Sequence, residues 1–328
     1  DSVSVRCCKK LQIICNGDKL IPCYLLFHDS ASLDVYKYIT DIETSEGTSL
    51  RIDVIDTNEY IAEQVLVTDH DGKDVVPYPE IDYREIVRNE DGSFKVIPGI
   101  ELNSDRYVHF IIYGSTDMAR AMALTAAHIC HFPNYKNGNN KTVITMVNKG
   151  IRAWMDDFIS SLPSLFNLSH YRYILLSSEG NSTTTEFLPD ENYGDFLDIE
   201  WEFIDSDVTS RGIRELLKRW CDDDRQSLSL AFCLSSQQSN TFTSLHLPDE
   251  IYSNGCPIFV HQKDYGDILV QAKKTGRFGN LHTFGMSSSI QDDPLYVYRS
   301  RKGQRVNFIY NQAFGEKKYS SEIDAWYA

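Results

Sequence analysis

From residue 107 onward the chain alternates short apolar runs with stretches of helical periodicity, and this rhythm constrains the fold more than any other feature. The runs YVHFIIYG, KTVITMVN, RYILLSS, IEWEFID, SLSLAFCL, CPIFVHQ and LHTFGM read as strands. Helices are predicted between them, near 117–131, 150–166, 209–222, 236–253 and 264–275. Strands that are apolar almost throughout must be covered on both sides, which calls for a parallel sheet between two helical layers. One segment, SSEGNSTTTEFLPDENYGDFLD, interrupts the rhythm with polar residues and is expected to be a surface insertion.

Two smaller strand–helix units precede this region. LIPCYLLFHD is strand-like and leads into SASLDVYKYI, where Ser30 or Ser32 is placed to cap a short helix. SLRIDVID is the next strand, and TNEYIAEQVL follows as a helix with Thr57 as the expected cap. Residues 69–106 are rich in Asp, Gly and Pro and lack helical periodicity, so they read as an irregular connector with one hairpin at NEDGSFKV. After about residue 290 the strand pattern stops, and 291–328 read as a helical tail. The expected organisation is thus 1–68, an N-terminal α/β region; 69–106, a connector; 107–290, the main domain; and 291–328, the tail. The chain opens on DSVSV without a Met, as a piece of a longer protein would.

The formal net charge of −15 opposes binding to nucleic acid or to an anionic membrane, because both need a positive surface. No apolar run approaches 18 residues, so the chain is expected to be soluble and cytoplasmic, or the soluble part of a membrane-associated protein. None of the eight cysteines forms a CxxC pair, and several lie in strand-like runs, which points to buried free thiols.

The stretch HFIIYGSTDMARAMALTAAHICHF, residues 109–132, runs from a strand through one glycine directly into a helix. A dinucleotide fingerprint asks for glycine at the tight turn, at the pyrophosphate approach and at the helix–strand contact. Here the six positions are Gly114, Ser115, Thr116, Asp117, Met118 and Ala119. The first glycine is present and alanine serves at the third place, but Thr116 occupies the second. Ser115 and Thr116 offer donors to an anion at the helix start, whereas Asp117 suits a helix that caps itself. The next strand ends in Asn148, where Asp or Glu often holds a ribose, with Lys149 and Arg152 close behind. The expected fold class is α/β: a Rossmann-like doubly wound parallel sheet with a smaller N-terminal α/β region.

Further along, Asp207 of DSDVTS sits at an acidic turn with Ser206 before it. Asn240 of SQQSN follows the next strand, and CPIFVHQKD supplies another. In order and spacing, residues 107–286 resemble the TrkA-N (RCK) family, Rossmann domains that regulate potassium channels and transporters. The run LHLPDEIY, PIFVHQKDY and NLHTFGM is similar to the subset that continues into a ryanodine-receptor-type (RyR) domain. The resemblance implies a regulatory domain that senses a nucleotide, with NAD(P) or another adenine nucleotide as ligand. Carried over by position, Gly114, Ser115, Thr116 and Asp117 would face phosphates, Asn148 a ribose, and Asp207 the base or second ribose, with Met118 and Lys149 also counted among the cofactor-binding residues. Asn240 matches the family's asparagine. The resemblance also implies a homodimer and a membrane or RyR-type partner domain outside this chain.

No catalytic set stands beside these residues. His128 and His131 flank Cys130 without a third metal ligand nearby in sequence, and WCDDDRQ reads as a solvated loop. Neither YNQAF nor YSSEI places a Lys four residues after its Tyr, as a hydride-transfer enzyme would use. Two alternatives stay open: an NAD(P)-dependent oxidoreductase, and an interaction scaffold with a vestigial nucleotide pocket.

Overall fold

The computed structural model describes residues 21–29, 32, 33, 35, 36, 50–67, 78–83, 85–88, 94–97, 99–135, 140–189, 197–264, 267–285, 306–311, 315 and 319. The chain divides into two compact units, 1–62 and 63–328. In the first, β1 (Ile21–Phe27) and β2 (Leu50–Asp56) pair in parallel, and α1 (Thr57–Leu66) follows at once, its last residues belonging to the second. Leu25, Phe27, Leu33 and Tyr36 form its small core.

The caps here differ from the expectation, because carboxylates reach the free amides first. Asp56, not Thr57, caps α1: its Oδ1 accepts from the amides of Asn58 at 2.8 Å and Glu59 at 3.2 Å. Thr57 instead donates its hydroxyl to the Phe27 carbonyl and so ties β2 to β1. Asp29 accepts from the Ser32 amide at 2.7 Å, while Ser30 lies outside the described residues.

In the second unit, β3 (Glu85–Arg88) and β4 (Phe94–Ile97) form the antiparallel hairpin expected in the connector, with its Asp-Gly turn outside the described residues. An eight-stranded sheet follows. Its strands are β5 (Tyr107–Tyr113), β6 (Thr142–Asn148), β7 (His170–Leu176), β8 (Ser182–Phe187), β9 (Ile199–Asp205), β10 (Gln226–Phe232), β11 (Ile258–His261) and β12 (Leu281–Phe284). They lie in the order β12-β11-β10-β5-β6-β9-β7-β8, and every pairing is parallel except β7 with β8. The predicted polar insertion is therefore partly a strand: β8 returns along β7 as an exposed edge. From β5 the chain passes to β6, places β7 and β8 farther out, returns to set β9 between β6 and β7, then crosses back to β10 and builds the other way. The order reverses between β5 and β10, which is where open α/β sheets place their ligands.

The helices are α2 (Asp117–Ile129), α3 (Arg152–Ser161), α4 (Pro163–Phe166), α5 (Arg211–Cys221), α6 (Gln237–Leu245), α7 (Asp249–Ser253) and α8 (Asp267–Lys273). Two predicted long helices are each broken in two. Pro163 opens α4, and Pro248 separates α6 from α7, because proline cannot continue a helical ladder. Strand alternation sends Ile111, Tyr113, Leu228, Leu230 and Phe232 to one face, where Ile213 and Leu217 of α5 and Ile251 of α7 cover them. On β9 the residues alternate likewise. Ile204 joins that core, whereas Phe158 of α3 and Phe166 of α4 pack edge-on or tilted against Trp201 and Phe203. Helices thus flank both faces.

The amino-terminal half of the first face is polar. Gln226, His109, Thr145, Glu202, Arg172 and Glu200 are linked in series across β10, β5, β6, β9 and β7 at 2.7–3.1 Å. Each group finds a partner within the sheet, although the buried Arg172 Nε has none among the described residues.

Candidate ligand site at the carboxyl edge of the sheet

Four loops meet at the carboxyl ends of β5, β6, β9 and β10. Gly114 leaves β5 with φ +117° while its amide donates to the Val147 carbonyl of β6 at 2.9 Å. A Cβ at this position would lie 2.9 Å from Leu234 N and closer still to the Cys233 carbonyl. The glycine therefore admits the backbone that leaves β10. The same backbone is pinned by the Cys233 amide donating to the Tyr113 carbonyl at 2.8 Å.

Thr116 is the cap of α2. Its Oγ1 accepts from the Ala119 amide at 3.2 Å and donates to the Cys233 carbonyl at 2.7 Å. Asp117 is exposed in the first helical turn, where its charge complements the helix dipole, but the capping bond belongs to Thr116. Met118 is 3% exposed, and its side chain belongs to the core.

Asn148 holds the second loop to the first: its Nδ2 donates to Ser115 Oγ at 3.1 Å and to the Lys149 carbonyl at 3.2 Å. Ser115 keeps its own hydroxyl hydrogen to give. Lys149 is exposed. Asp205, at the end of β9, accepts from the Gly150 amide at 2.7 Å and from the Tyr173 hydroxyl at 3.0 Å, and this fixes the turn that carries Lys149. Asp205 occupies the place next to Asn148 in the ladder, a position that sequence spacing alone did not single out.

Asp207 is exposed and bound locally, accepting from the Thr209 amide at 2.9 Å and hydroxyl at 2.7 Å. Those bonds, helped by Lys149, hold its carboxyl below the usual range. Ser206 lies 3.2 Å from Ser210, the cap of α5. Asn240 is only 1% exposed. It accepts from the Leu234 amide at 2.7 Å and donates to the His261 carbonyl at 3.0 Å, latching the loop after β10 to the end of β11.

The edge thus brings Gly114, Ser115, Thr116, Asn148 and Lys149 together, with Asp207 near enough for Lys149 to act on its charge. Asn240 supports the neighbouring loop from inside the fold. Beneath the edge, Tyr113 stacks on Phe232 with ring centroids 4.6 Å apart, and its buried hydroxyl has no hydrogen-bond partner among the described residues. The donors that this edge presents are the Ser115 hydroxyl, the Lys149 ammonium and the start of α2.

Among the described residues no group of three or more His, Cys, Asp or Glu side chains is placed to hold a metal ion. His131 instead contacts Asp198 at 2.7 Å. No described helix is long and apolar enough to cross a membrane. Cys130, Cys221, Cys233 and Cys256 are buried free thiols, as expected. No protein-family model matches the chain, and neither curated proteins nor solved structures give a significant match.

Proposed function

We propose that residues 107–286 form a Rossmann-like, TrkA-N-type regulatory domain that senses a small anionic nucleotide at the carboxyl edge, NAD(P) or another adenine nucleotide being the ligand class. The observation that carries this reading is the reversal of strand order between β5 and β10, with the start of α2 and the Ser115–Asn148–Lys149 group beside it. A helix start and a lysine suit a phosphate, and Asn148 and Asp207 suit ribose hydroxyls. In this reading the occupied domain acts as a regulator. Tyr298 and Lys302 have the Tyr-x-x-x-Lys spacing of some hydride-transfer enzymes and lie outside the described residues.

The test is thermal unfolding in the presence of NAD(H), NADP(H), ATP, ADP, AMP and cyclic dinucleotides. A ligand at 100 times its dissociation constant adds about 2.7 kcal/mol. Gly114 is a poor probe, because any side chain there strikes Cys233 and Leu234. Lys149→Glu is a better one, because the side chain is exposed and its replacement is expected to leave the fold intact. The expected result is stabilisation by one ligand class that Lys149→Glu abolishes.

A second reading, an interaction scaffold, is favoured by the self-satisfied bonds from Thr116 to Cys233, Asn148 to Ser115 and Asp207 to Thr209. No shift with any nucleotide would establish it over the sensor.

A further inference from the structure

At the amino edge of the sheet, two buried thiols face each other. Cys221 closes α5 and Cys256 lies just before β11, with Sγ atoms 3.9 Å apart and exposures of 9% and 3%. Two asparagine side chains contact the backbone beside them. Asn254 donates to the Cys221 carbonyl at 3.3 Å and to its sulfur at 3.2 Å. Asn280 donates to the Cys256 carbonyl at 2.6 Å and to the Ile251 carbonyl at 3.2 Å. The Tyr83 hydroxyl donates to the Leu228 carbonyl and lies within hydrogen-bond reach of the Cys256 thiol. Tyr83 itself has φ 59°, an uncommon backbone state for a bulky residue, so the fold holds it there against local preference.

We infer that Cys221 and Cys256 are a redox modification site that closes to a reversible disulfide when the protein meets a peroxide. The sulfurs must approach from 3.9 Å to about 2 Å, a side-chain rotation with a small loop adjustment. Gly255, at φ +68° with open space around it, precedes Cys256 and lets the loop give.

The pair is differentiated for the chemistry. The facing Cys221 thiol holds the Cys256 thiol below its ordinary value, while the contact with Cys256 and burial push Cys221 up. Cys256 is thus the nucleophile. Its thiolate attacks one oxygen of hydrogen peroxide, the O–O bond breaks, and a sulfenic acid and hydroxide result. The Cys221 sulfur then attacks the sulfenic sulfur, its proton leaves with the departing hydroxyl as water, and the S–S bond forms. In total two thiols are oxidised and one peroxide is reduced to two waters. The closed loop spans β10, α6 and α7, and therefore contains Asn240 and the backbone that packs on Gly114.

The full chain is treated with hydrogen peroxide under native conditions, denatured, alkylated and digested, and its peptides are mapped by mass. A linked pair of peptides carrying Cys221 and Cys256 is expected, lost on treatment with dithiothreitol, with Cys130 and Cys233 alkylated. Recovery of both cysteines as alkylated thiols would overturn the inference. So would irreversible oxidation without linkage, or pairing of either with another cysteine. In Cys221→Ser, Cys256 is expected as a sulfenic acid that dimedone traps. The wild-type map decides the matter without any variant if that one fails to fold.

Discussion

At Gly114 the missing side chain serves a neighbouring strand of the protein itself. The residue has a positive φ, and a Cβ would strike the backbone at Cys233 and Leu234. Gly114→Ala is expected to destabilise the fold by about 2–4 kcal/mol, combining a left-handed backbone with overpacking against main chain that cannot rotate away. Urea unfolding measures this, and a change under about 0.5 kcal/mol, the size of a neutral surface substitution, would mean the two loops are not in contact. Asn240 gives a sharper test, because its two ends do different work. Asn240→Ala strands both the Leu234 amide and the His261 carbonyl, at an expected cost of about 1–3 kcal/mol. Asn240→Asp keeps the acceptor for Leu234 but buries a carboxylate against the His261 carbonyl, so at neutral pH it should cost at least as much as alanine. An aspartate as stable as wild type would remove the His261 bond from the account. Both residues were visible in the sequence as candidate ligand contacts. Their packing partners were not, because Gly114 meets Cys233 only after the chain has passed through β6 and β9.

Helix α2 starts where it does because Thr116 supplies a side-chain acceptor for Ala119 and, with the same oxygen, a donor for Cys233. Thr116→Val keeps the shape and loses both bonds. It should cost about 1–2 kcal/mol, the upper part of the range for a lost cap, and Thr116→Ser should recover most of it. Equal stability of valine and threonine in chemical denaturation would show that the cap is made elsewhere. Element positions were legible in the sequence wherever apolar periodicity was strong: each predicted strand from 107 onward is present as β5, β6, β7 and β9 to β12. Two things escaped. Pro163 and Pro248 divide helices that periodicity alone ran together. The Thr-rich strand β8 carries no apolar face, so nothing local marked it; it is held by its ladder to β7 and by the stacked rings of Tyr171 and Phe187. The capping choices at Asp56 and Thr116 show the same limit, since several Ser, Thr and Asp residues stand at each helix start and geometry selects among them.

Across the 63–328 unit, burial also sets how the fold responds to acid. His261 and His282 lie on the neighbouring strands β11 and β12. Burial, aided by Lys263 for His261 and by Lys273 for His282, pushes both down from 6.5 to about 4. A folded value below the unfolded one means that the unfolded chain takes up protons first. The contribution of each neutral histidine is therefore fully present above about pH 6.5 and is lost progressively as the pH falls toward 4. Each group costs about 1.4 kcal/mol per pH unit inside that window, and the two add where they titrate together. The carboxylates Asp207, Asp223 and Glu250, whose values hydrogen bonds and ion pairs depress, lose their contributions only at lower pH, through the carboxylate range. Stability from urea unfolding should thus fall steadily from about pH 6.5 downward, with His109 of β5, also pushed down by burial, adding to the slope. His261→Gln and His282→Gln remove one titrating group each, so each should flatten the slope while lowering the plateau at neutral pH. A double variant as steep as wild type between about pH 6 and pH 5 would place the acid-sensitive groups outside β11 and β12.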